Sequence, residues 1–294
     1  MINIAVMLNG SGKYLDITQE LYKHWTTLYD GVHFDFFVST WEDEIDYTNW
    51  DWITKWERLK EEDCPYDLKN HPTGRHQPHY CYTFKKVNEL RNSHDVVYDG
   101  VLQTRCDYLI PKNTIDKMLS NITQLRGGGD ERINPQLSSR NIFSSSGTMI
   151  HNDVTDEGEL QQDLWTQDYY FFGKPEVFDV FAGMFDYMYI DDKTKDTINP
   201  LMHVFQAEYL HLMGIYNSYL NTANGLLIRT QNRFVLPDTE TKDKSGNVIR
   251  LGGWSKKHPS PFQLKKIIND RGVEWMYNDI GFKKTIDWFN RTPK

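Results

Sequence analysis

The sequence has little cysteine, no long apolar run and no basic excess, and each shortage excludes a class of protein. The three cysteines, Cys64, Cys81 and Cys106, are far apart and form no Cys-x-x-Cys pair. This pattern predicts neither a disulfide framework nor a zinc site. No apolar run approaches the roughly 20 residues that span a bilayer, and Met1 leads into an apolar strand without a basic leader. We therefore expect a cytoplasmic protein with no integral membrane segment.

The chain is rich in aromatic side chains and long enough to bury a full core. Aromatic residues make up 14% of its 294 residues, including 17 Tyr and 9 Trp. This length fits one large domain or two small ones. Most of the rings are expected to fill the core, but their excess also favours clefts that bind flat, polar ligands such as sugars and bases.

The charge is unevenly distributed along the chain. The formal net charge is −8, yet residues 240–294 carry 12 Lys and Arg against 6 Asp and Glu. An acidic body with a basic C-terminal segment predicts that this segment meets an anionic group. The candidates are a nucleotide diphosphate, an anionic acceptor, nucleic acid and the acidic body of the chain itself.

The N-terminal half alternates predicted strands and helices. Its apolar patterns predict strands at 2–8, 34–40 and 96–104 and helices at 17–28 and 80–92. The polar residues 43–78 predict a loop with at most one short helix. Alternation of this kind predicts a doubly wound, mostly parallel sheet flanked by helices and joined by right-handed crossovers.

The second half is less regular. Glycine and polar residues predict loops over 126–140 and 238–261, and 141–146 has the pattern of an edge strand. The remaining predicted elements are strands at 168–173 and 226–229 and helices at 175–188, 200–214, 262–270 and 282–290.

The segment that says most about function is the predicted strand ending in Arg105, Cys106 and Asp107. In α/β proteins the carboxyl ends of parallel strands face the ligand crevice. There, the Asp107 carboxylate would supply a hard oxygen ligand to a divalent cation, and the Arg105 guanidinium would clamp phosphate oxygens. The alternative is a surface ion pair at a strand end.

Several short motifs occur in the order found in one group of enzymes. They are residues 4–10 (IAVMLNG), 34–41 (FDFFVSTW), 98–107 (Tyr-Asp, then Arg-x-Asp), 168–173 (DYYFFG), 207–210 (AEYL), 214–215 (GI) and 227–229 (LIR). The series resembles GT-A nucleotide-sugar glycosyltransferases, specifically the WavE-like lipopolysaccharide-synthesis type of bacteria and their phages. The resemblance implies a GT-A-like domain over 1–235, with a basic loop and C-terminal helices over 236–294 packed on the same domain. If a phage encodes the protein, its compartment would be the host cytoplasm.

The resemblance also implies roles for residues of the first half. Asp107 would stand where these enzymes keep the last acid of an Asp-x-Asp motif, which holds Mn²⁺ or Mg²⁺ against the donor diphosphate. Arg105 replaces the first acid, so it would neutralise part of the diphosphate itself and strict metal dependence is left open. Asn9, Gly10 and Gly12 would let the backbone approach the donor nucleotide.

Glycosyl transfer needs positive charge near the leaving diphosphate and, in an inverting enzyme, a carboxylate near the acceptor hydroxyl. The resemblance implies that Asp168 lies on the acceptor side. Asp168 is therefore the first candidate for the general base, and Glu208 is the second. The structural alternatives are a turn or helix-cap role for Asp168 and an exposed helix position for Glu208. The sequence leaves inverting and retaining chemistry open.

A basic stretch at 252–259 contains two glycines, Lys256, Lys257 and His258. The glycines give hinge freedom and the lysines suit a diphosphate, which predicts a lid. Because some GT-A enzymes take a late histidine as a metal ligand, His258 is a candidate ligand. The tryptophans at 50–52 and the histidines at 71–79 are irregularly spaced, and we expect them in a surface loop.

Three functions compete at this point. The first is transfer of a sugar from a nucleotide-diphosphate sugar to a hydroxyl acceptor, a surface glycan or lipopolysaccharide precursor. The second changes the acceptor to modified bases in phage DNA, where the basic C-terminal residues would follow phosphates, although the chain is acidic and has no recognised nucleic-acid motif. The third is a non-enzymatic carbohydrate-binding protein, which needs neither the Arg-x-Asp pair nor the glycine turn.

Overall fold

The computed structural model describes residues 1–41, 45–74, 76–127, 137–154, 160–220, 226–227, 239–242, 248–251 and 261–277. In chain order the described strands are β1 (Ile2–Gly10), β2 (Val32–Trp41), β3 (Lys55–Leu59), β4 (Gly100–Arg105), β5 (Tyr108–Leu109), β6 (Asn141–Ser144), β7 (Met149–Val154), β8 (Leu160–Trp165), β9 (Tyr170–Gly173), β10 (Tyr216–Tyr219), β11 (Leu226–Leu227), β12 (Thr239–Lys242) and β13 (Val248–Leu251). The described helices are α1 (Leu15–Leu28), α2 (His76–Asn92), α3 (Lys112–Gly127), α4 (Pro175–Ala182), α5 (Met184–Tyr187), α6 (Asp192–Thr197), α7 (Met202–Leu212), α8 (Pro261–Arg271) and α9 (Val273–Tyr277).

Seven strands form one sheet in the order β10-β6-β9-β4-β1-β2-β3. The strands β3, β2, β1 and β4 are parallel, β9 runs antiparallel between β4 and β6, and β10 is parallel to β6. The predicted fold class, a mostly parallel α/β sheet flanked by helices, is therefore confirmed.

β1 lies inside the sheet because both of its faces are apolar. Ile4, Val6 and Leu8 pack with residues of α1 and α3, whereas Ala5 and Met7 point the other way and pack with residues of α2 and α4. Burial of an entire apolar run is typical of a parallel strand covered on both sides. Helices on both faces make the sheet doubly wound.

The C-terminal helices add to the first of these two layers. Leu264 of α8 and Tyr277 of α9 are buried in the same cluster as Trp25 of α1. The Tyr277 ring lies 6.2 Å from the Trp25 ring and 5.7 Å from the His24 ring, measured between centroids. The helix predicted at 262–270 agrees with α8, and the one predicted at 282–290 lies outside the described residues.

The predicted loop over 43–78 was wrong in part. It contains β3, which pairs in parallel with β2 at the edge of the sheet. The apolar pattern does not predict β3, because three of its five residues, Lys55, Glu57 and Arg58, are charged. Edge strands of this polar kind are common because charge discourages further strand pairing.

Two predictions about the second half were also wrong. β6 is not an edge strand, because the short polar strand β10 covers it on the side away from β9. The helix predicted over 175–188 is broken into α4 and α5 at Gly183. There the hydroxyl of Tyr209 donates to the Val180 carbonyl at 2.9 Å, and a Cβ on Gly183 would lie 2.9 Å from that hydroxyl.

Some structure appears where none was predicted. Helix α3 and the hairpin of β7 and β8 had no predicted counterpart, and β12 and β13 pair within the predicted loop over 238–261. Across the part of the chain that the structure describes, no helix is long and apolar enough to cross a membrane.

Candidate functional site

The carboxyl ends of β1, β2 and β4 open into one cavity of about 710 Å³, which we call the central cleft. Ligands of open α/β folds bind at this edge of the sheet. The residues that line the cleft include Asn9, Gly10, Trp41, Gln77, His79, Tyr80, Arg105, Asp107, Asp168 and Met202.

Three predicted site residues meet at the wall of the central cleft. Arg105 Nε and Nη2 donate to the two carboxylate oxygens of Asp107, each at 2.8 Å, and Arg105 Nη1 donates to Asp168 Oδ2 at 2.8 Å. The side chains of Arg105, Asp107 and Asp168 are 25%, 19% and 9% exposed, so water screens these contacts only in part. We call the group the Arg–Asp triad; it carries one more negative than positive charge.

Strand pairing explains how Arg105 and Asp168, 63 positions apart, come together. β4 and β9 are antiparallel, with Thr104 opposite Tyr170. Arg105 follows Thr104 and Asp168 precedes Tyr170 by two residues, so both lie at the same end of the paired strands. The Arg105 backbone N–H and the Thr104 hydroxyl both donate to the Tyr169 carbonyl, at 3.4 and 3.0 Å.

The Asp168 carboxyl is held in its charged form. Burial would raise its pKa, but the charges of Arg105 and His203 and the hydrogen bond from Arg105 leave the pKa below its usual value. His203 Nδ1 lies 3.8 Å from Asp168 Oδ1 and donates to the Thr166 carbonyl at 3.0 Å. Asp168 is therefore an anion at neutral pH, and its Oδ1 is buried without a hydrogen-bond partner among the described residues.

The end of β1 forms the floor of the cleft. Asn9 is held by Gln103, whose Nε2 donates to Asn9 Oδ1 at 2.5 Å. Gly10 has a φ of +113°, and no heavy atom lies within 4 Å of the position that a Cβ would take. A ligand can therefore approach the backbone at Gly10. Gly12 is buried in a single 3₁₀ turn and does not appear in the cleft lining.

As arranged, the described residues do not fit the predicted Mn²⁺ or Mg²⁺. Both oxygens of Asp107 accept from the Arg105 guanidinium, which would repel a cation placed there. Among the described residues, no group of three or more His, Cys, Asp or Glu side chains is placed to hold a metal ion. The candidate ligand His258 lies outside the described residues.

Glu208 does not join the site. It is exposed on α7 and does not line the central cleft. Burial of its carboxyl, and then the charge of Asp163, raise its pKa. The second candidate base therefore lies outside the lining that contains Asp168. Lys256 and Lys257 lie outside the described residues, and their contact with the donor stays a prediction.

The surface-loop expectation for the tryptophans and histidines was wrong in part. His76 and His79 belong to the first turns of α2 and line the central cleft. His71 is only 3% exposed, and Trp50 and Trp52 pack against the main core.

Sequence reasoning missed the contribution of α2 to the cleft. The helix starts at His76, four residues before the predicted start, with Pro78 in its first turn. A proline is tolerated there because the first N–H groups of a helix have no partner within it. This start places Gln77 and Tyr80 in the lining. The proline was a usable signal for the earlier start.

The comparisons with known proteins are distant. No protein-family model and no curated protein matches this chain. One solved structure that it resembles is the galactosyltransferase LgtC in complex with donor and acceptor sugar analogues. The two chains are 13% identical with a TM-score of 0.41, over 74% of this chain and 73% of that one. A likeness this distant leaves the activity to be argued from the residues of this chain, and the resemblance to WavE-like enzymes stays a prediction.

Proposed function

We propose that this protein is a glycosyltransferase that moves a sugar from a nucleotide-diphosphate sugar to a hydroxyl group of a carbohydrate, such as a surface glycan or lipopolysaccharide precursor. The observation that carries the proposal is the Arg–Asp triad in the central cleft. It joins a cation suited to phosphate and an ionised carboxylate suited to a hydroxyl group. The cleft volume of about 710 Å³ lies in the range of small-molecule sites.

Arg105 binds the leaving diphosphate in this proposal. The triad uses three of its five N–H bonds, which leaves one on each terminal nitrogen for phosphate oxygens. Negative charge grows on the diphosphate as the sugar–phosphate bond breaks, and a fixed cation beside it stabilises the transition state. Gly10 lets the same ligand lie close to the end of β1.

Asp168 acts as general base on the acceptor hydroxyl through its unpartnered oxygen. Taking up the proton removes the excess negative charge of the triad at the moment when the diphosphate gains negative charge. The Arg105 guanidinium, shared with Asp168 before proton transfer, then interacts more strongly with the leaving group. Arg105 thereby couples proton transfer to Asp168 with departure of the diphosphate. No step is assigned to a metal ion.

The charge of the cleft favours a neutral acceptor over DNA. On the acceptor side the Asp168 carboxylate would repel a polyanionic duplex, whereas the donor diphosphate meets the Arg105 guanidinium. A carbohydrate-binding protein without catalysis would need hydroxyl contacts but not a guanidinium shared between two carboxylates. These observations rank sugar transfer to a carbohydrate first.

The test is a donor screen. Wild-type protein is incubated with UDP-glucose, UDP-galactose, UDP-N-acetylglucosamine and GDP-mannose, and the released nucleoside diphosphate is measured with and without sugar acceptors. We expect release from at least one donor and its loss in Asp107→Ala. A matched control is Asp179→Ala, which breaks the ion pair between half-exposed Asp179 of α4 and buried Arg91 of α2, neither of which lines the cleft. If no donor binds or turns over, the proposed function is wrong; sugar binding without turnover would indicate a carbohydrate-binding protein.

A further inference from the structure

One wall of the central cleft carries buried oxygens that can only accept hydrogen bonds. Of the cleft-lining residues, Gln77 and Asp168 have a buried side-chain atom with no hydrogen-bond partner among the described residues. In both cases the atom is an oxygen, Gln77 Oε1 and Asp168 Oδ1. A wall of this kind fits a ligand that donates, and hydroxyl groups are the donors of a carbohydrate.

The hydrogen bond made by the amide nitrogen of Gln77 fixes the orientation of the amide group. Its Nε2 donates to the carbonyl of Asn199 at 3.2 Å. A flipped amide would put two acceptor oxygens against each other, so the oxygen must be the atom without a partner. Gln77 is 3% exposed. A buried amide oxygen that accepts nothing is destabilising, so a ligand donor there is favoured.

Gln77 and Asp168 lie on the same wall. Gln77 and Tyr80 are three residues apart on α2, so they share one face of the helix, and both line the cleft. Asp168 lines the same cleft, and burial and then the charge of Asp168 raise the pKa of the Tyr80 hydroxyl. The Tyr80 hydroxyl accepts from Gln206 Nε2 at 3.3 Å, which leaves its own proton free to donate.

The segment that leads into α7 contacts both Gln77 and Asp168. Asn199 holds the Gln77 amide, and His203, four residues later, lies 3.8 Å from Asp168. Pro200 and Met202, between these two contacts, line the cleft themselves. Gln77 and Asp168 therefore line the same cleft and are both tied to the segment that leads into α7.

We infer that Gln77 Oε1 accepts a hydrogen bond from a second hydroxyl of the acceptor, next to the hydroxyl that Asp168 deprotonates. The acceptor is then a sugar ring with neighbouring hydroxyl groups rather than the isolated hydroxymethyl group of a modified DNA base. This inference rests on the proposed function and adds the class of its acceptor and a residue that selects it.

The experiment compares transfer with hydrolysis of the same donor, because water needs no second hydroxyl contact. The donor is the nucleotide sugar that wild-type protein turns over fastest. The acceptor probes are the methyl glycosides of glucose, galactose and mannose and an oligonucleotide containing hydroxymethylcytosine. The variant is Gln77→Met, which removes the acceptor atom. Asn88→Leu is the control, since Asn88 lies on the same helix, is buried with an unpartnered Oδ1, and does not line the cleft.

We expect Gln77→Met to lower transfer to the best methyl glycoside about 10- to 100-fold more than it lowers donor hydrolysis. Asn88→Leu should leave the ratio of transfer to hydrolysis as in wild type. The inference is overturned if Gln77→Met leaves this ratio unchanged, if Asn88→Leu changes it equally, or if wild-type protein hydrolyses the donor but glycosylates only the oligonucleotide or nothing. A wild-type protein that turns over no donor refutes the proposed function instead.

Discussion

Replacing Asp168 with asparagine tests the role of the triad most sharply. Asn has nearly the same shape, and its side-chain oxygen still accepts from Arg105 Nη1, as Asp168 Oδ2 does at 2.8 Å. The substitution removes the negative charge and the ability to take up a proton. The geometry of the cleft should therefore persist while the proposed chemistry is lost.

The magnitudes separate the catalytic effect from any structural one. A positioned general base contributes about 10²–10⁴-fold in rate, so turnover in Asp168→Asn should fall by that factor. A hydrogen bond between charged groups contributes about 1.5–3 kcal/mol to stability, and part of it survives in the variant. A domain is typically stable by about 5–15 kcal/mol, so the variant should fold.

The pH dependence gives a second readout. Because Arg105 and His203 lower the pKa of Asp168 against the effect of burial, the base is already deprotonated well below neutral pH. Turnover limited by Asp168 should be flat from pH 5 to 8 and fall only below about pH 4, the usual range for aspartate. The stability that its charge contributes is present above that range and is lost as the pH falls through the lowered pKa. A fall in turnover centred near pH 6.5 would indicate a histidine base.

The assay is release of the nucleoside diphosphate with saturating acceptor, together with calorimetric titration of the nucleotide. Asp168→Asn should keep nucleotide affinity within a few-fold of wild type, whereas Asp107→Ala should weaken it because Arg105 loses the carboxylate that fixes its guanidinium. The control for loss of an ion pair is Asp179→Asn, which removes the charge that pairs with Arg91 outside the cleft. The reasoning is refuted if turnover of Asp168→Asn is near normal, or if that variant loses nucleotide affinity as strongly as Asp107→Ala.

Three further predictions follow from the same site. Arg105→Lys should lower turnover at least about tenfold, because an ammonium group cannot replace a fork that contacts both oxygens of Asp107; near-normal steady-state rates would contradict this. Because Arg105 donates to both carboxylate oxygens of Asp107, no metal ion is expected there, and EDTA should lower turnover by less than about tenfold. Full loss of activity that Mn²⁺ restores would show that a metal ion displaces the guanidinium. Gly10→Ala should lower stability by about 1–2 kcal/mol in urea unfolding, since its φ of +113° is unfavourable for a residue with a Cβ; an unchanged midpoint would show that the backbone relaxes.

The parts of the fold that were predictable are those with strong local signals. The strands β1, β2 and β4 follow from apolar runs buried on both faces, and the strand end at Arg105 and Asp107 followed from the same pattern. β3 and β10 were missed because they are short, polar strands at the two edges of the sheet, where pairing rather than hydrophobic pattern decides the structure.

Several residues of the candidate site were predictable one by one, but their arrangement was not. The resemblance suggested Asp107 and Asp168 separately, but their sharing of Arg105 depends on the register between β4 and β9. The contribution of Gln77 depends on an amide oriented by the Asn199 carbonyl, 122 residues away. Neither contact has a local sequence signal, because each is set by tertiary pairing.

The most direct test of the central claim is a crystal structure of the protein with the nucleoside diphosphate that it binds most tightly. The account predicts the diphosphate in the central cleft beside Gly10, with a phosphate oxygen within about 3.2 Å of an Arg105 terminal nitrogen. It also predicts that Asp168 still contacts the guanidinium. The account is contradicted if the nucleotide occupies the neighbouring cavity lined by Leu59, Lys60 and Tyr66, or if no phosphate oxygen contacts Arg105.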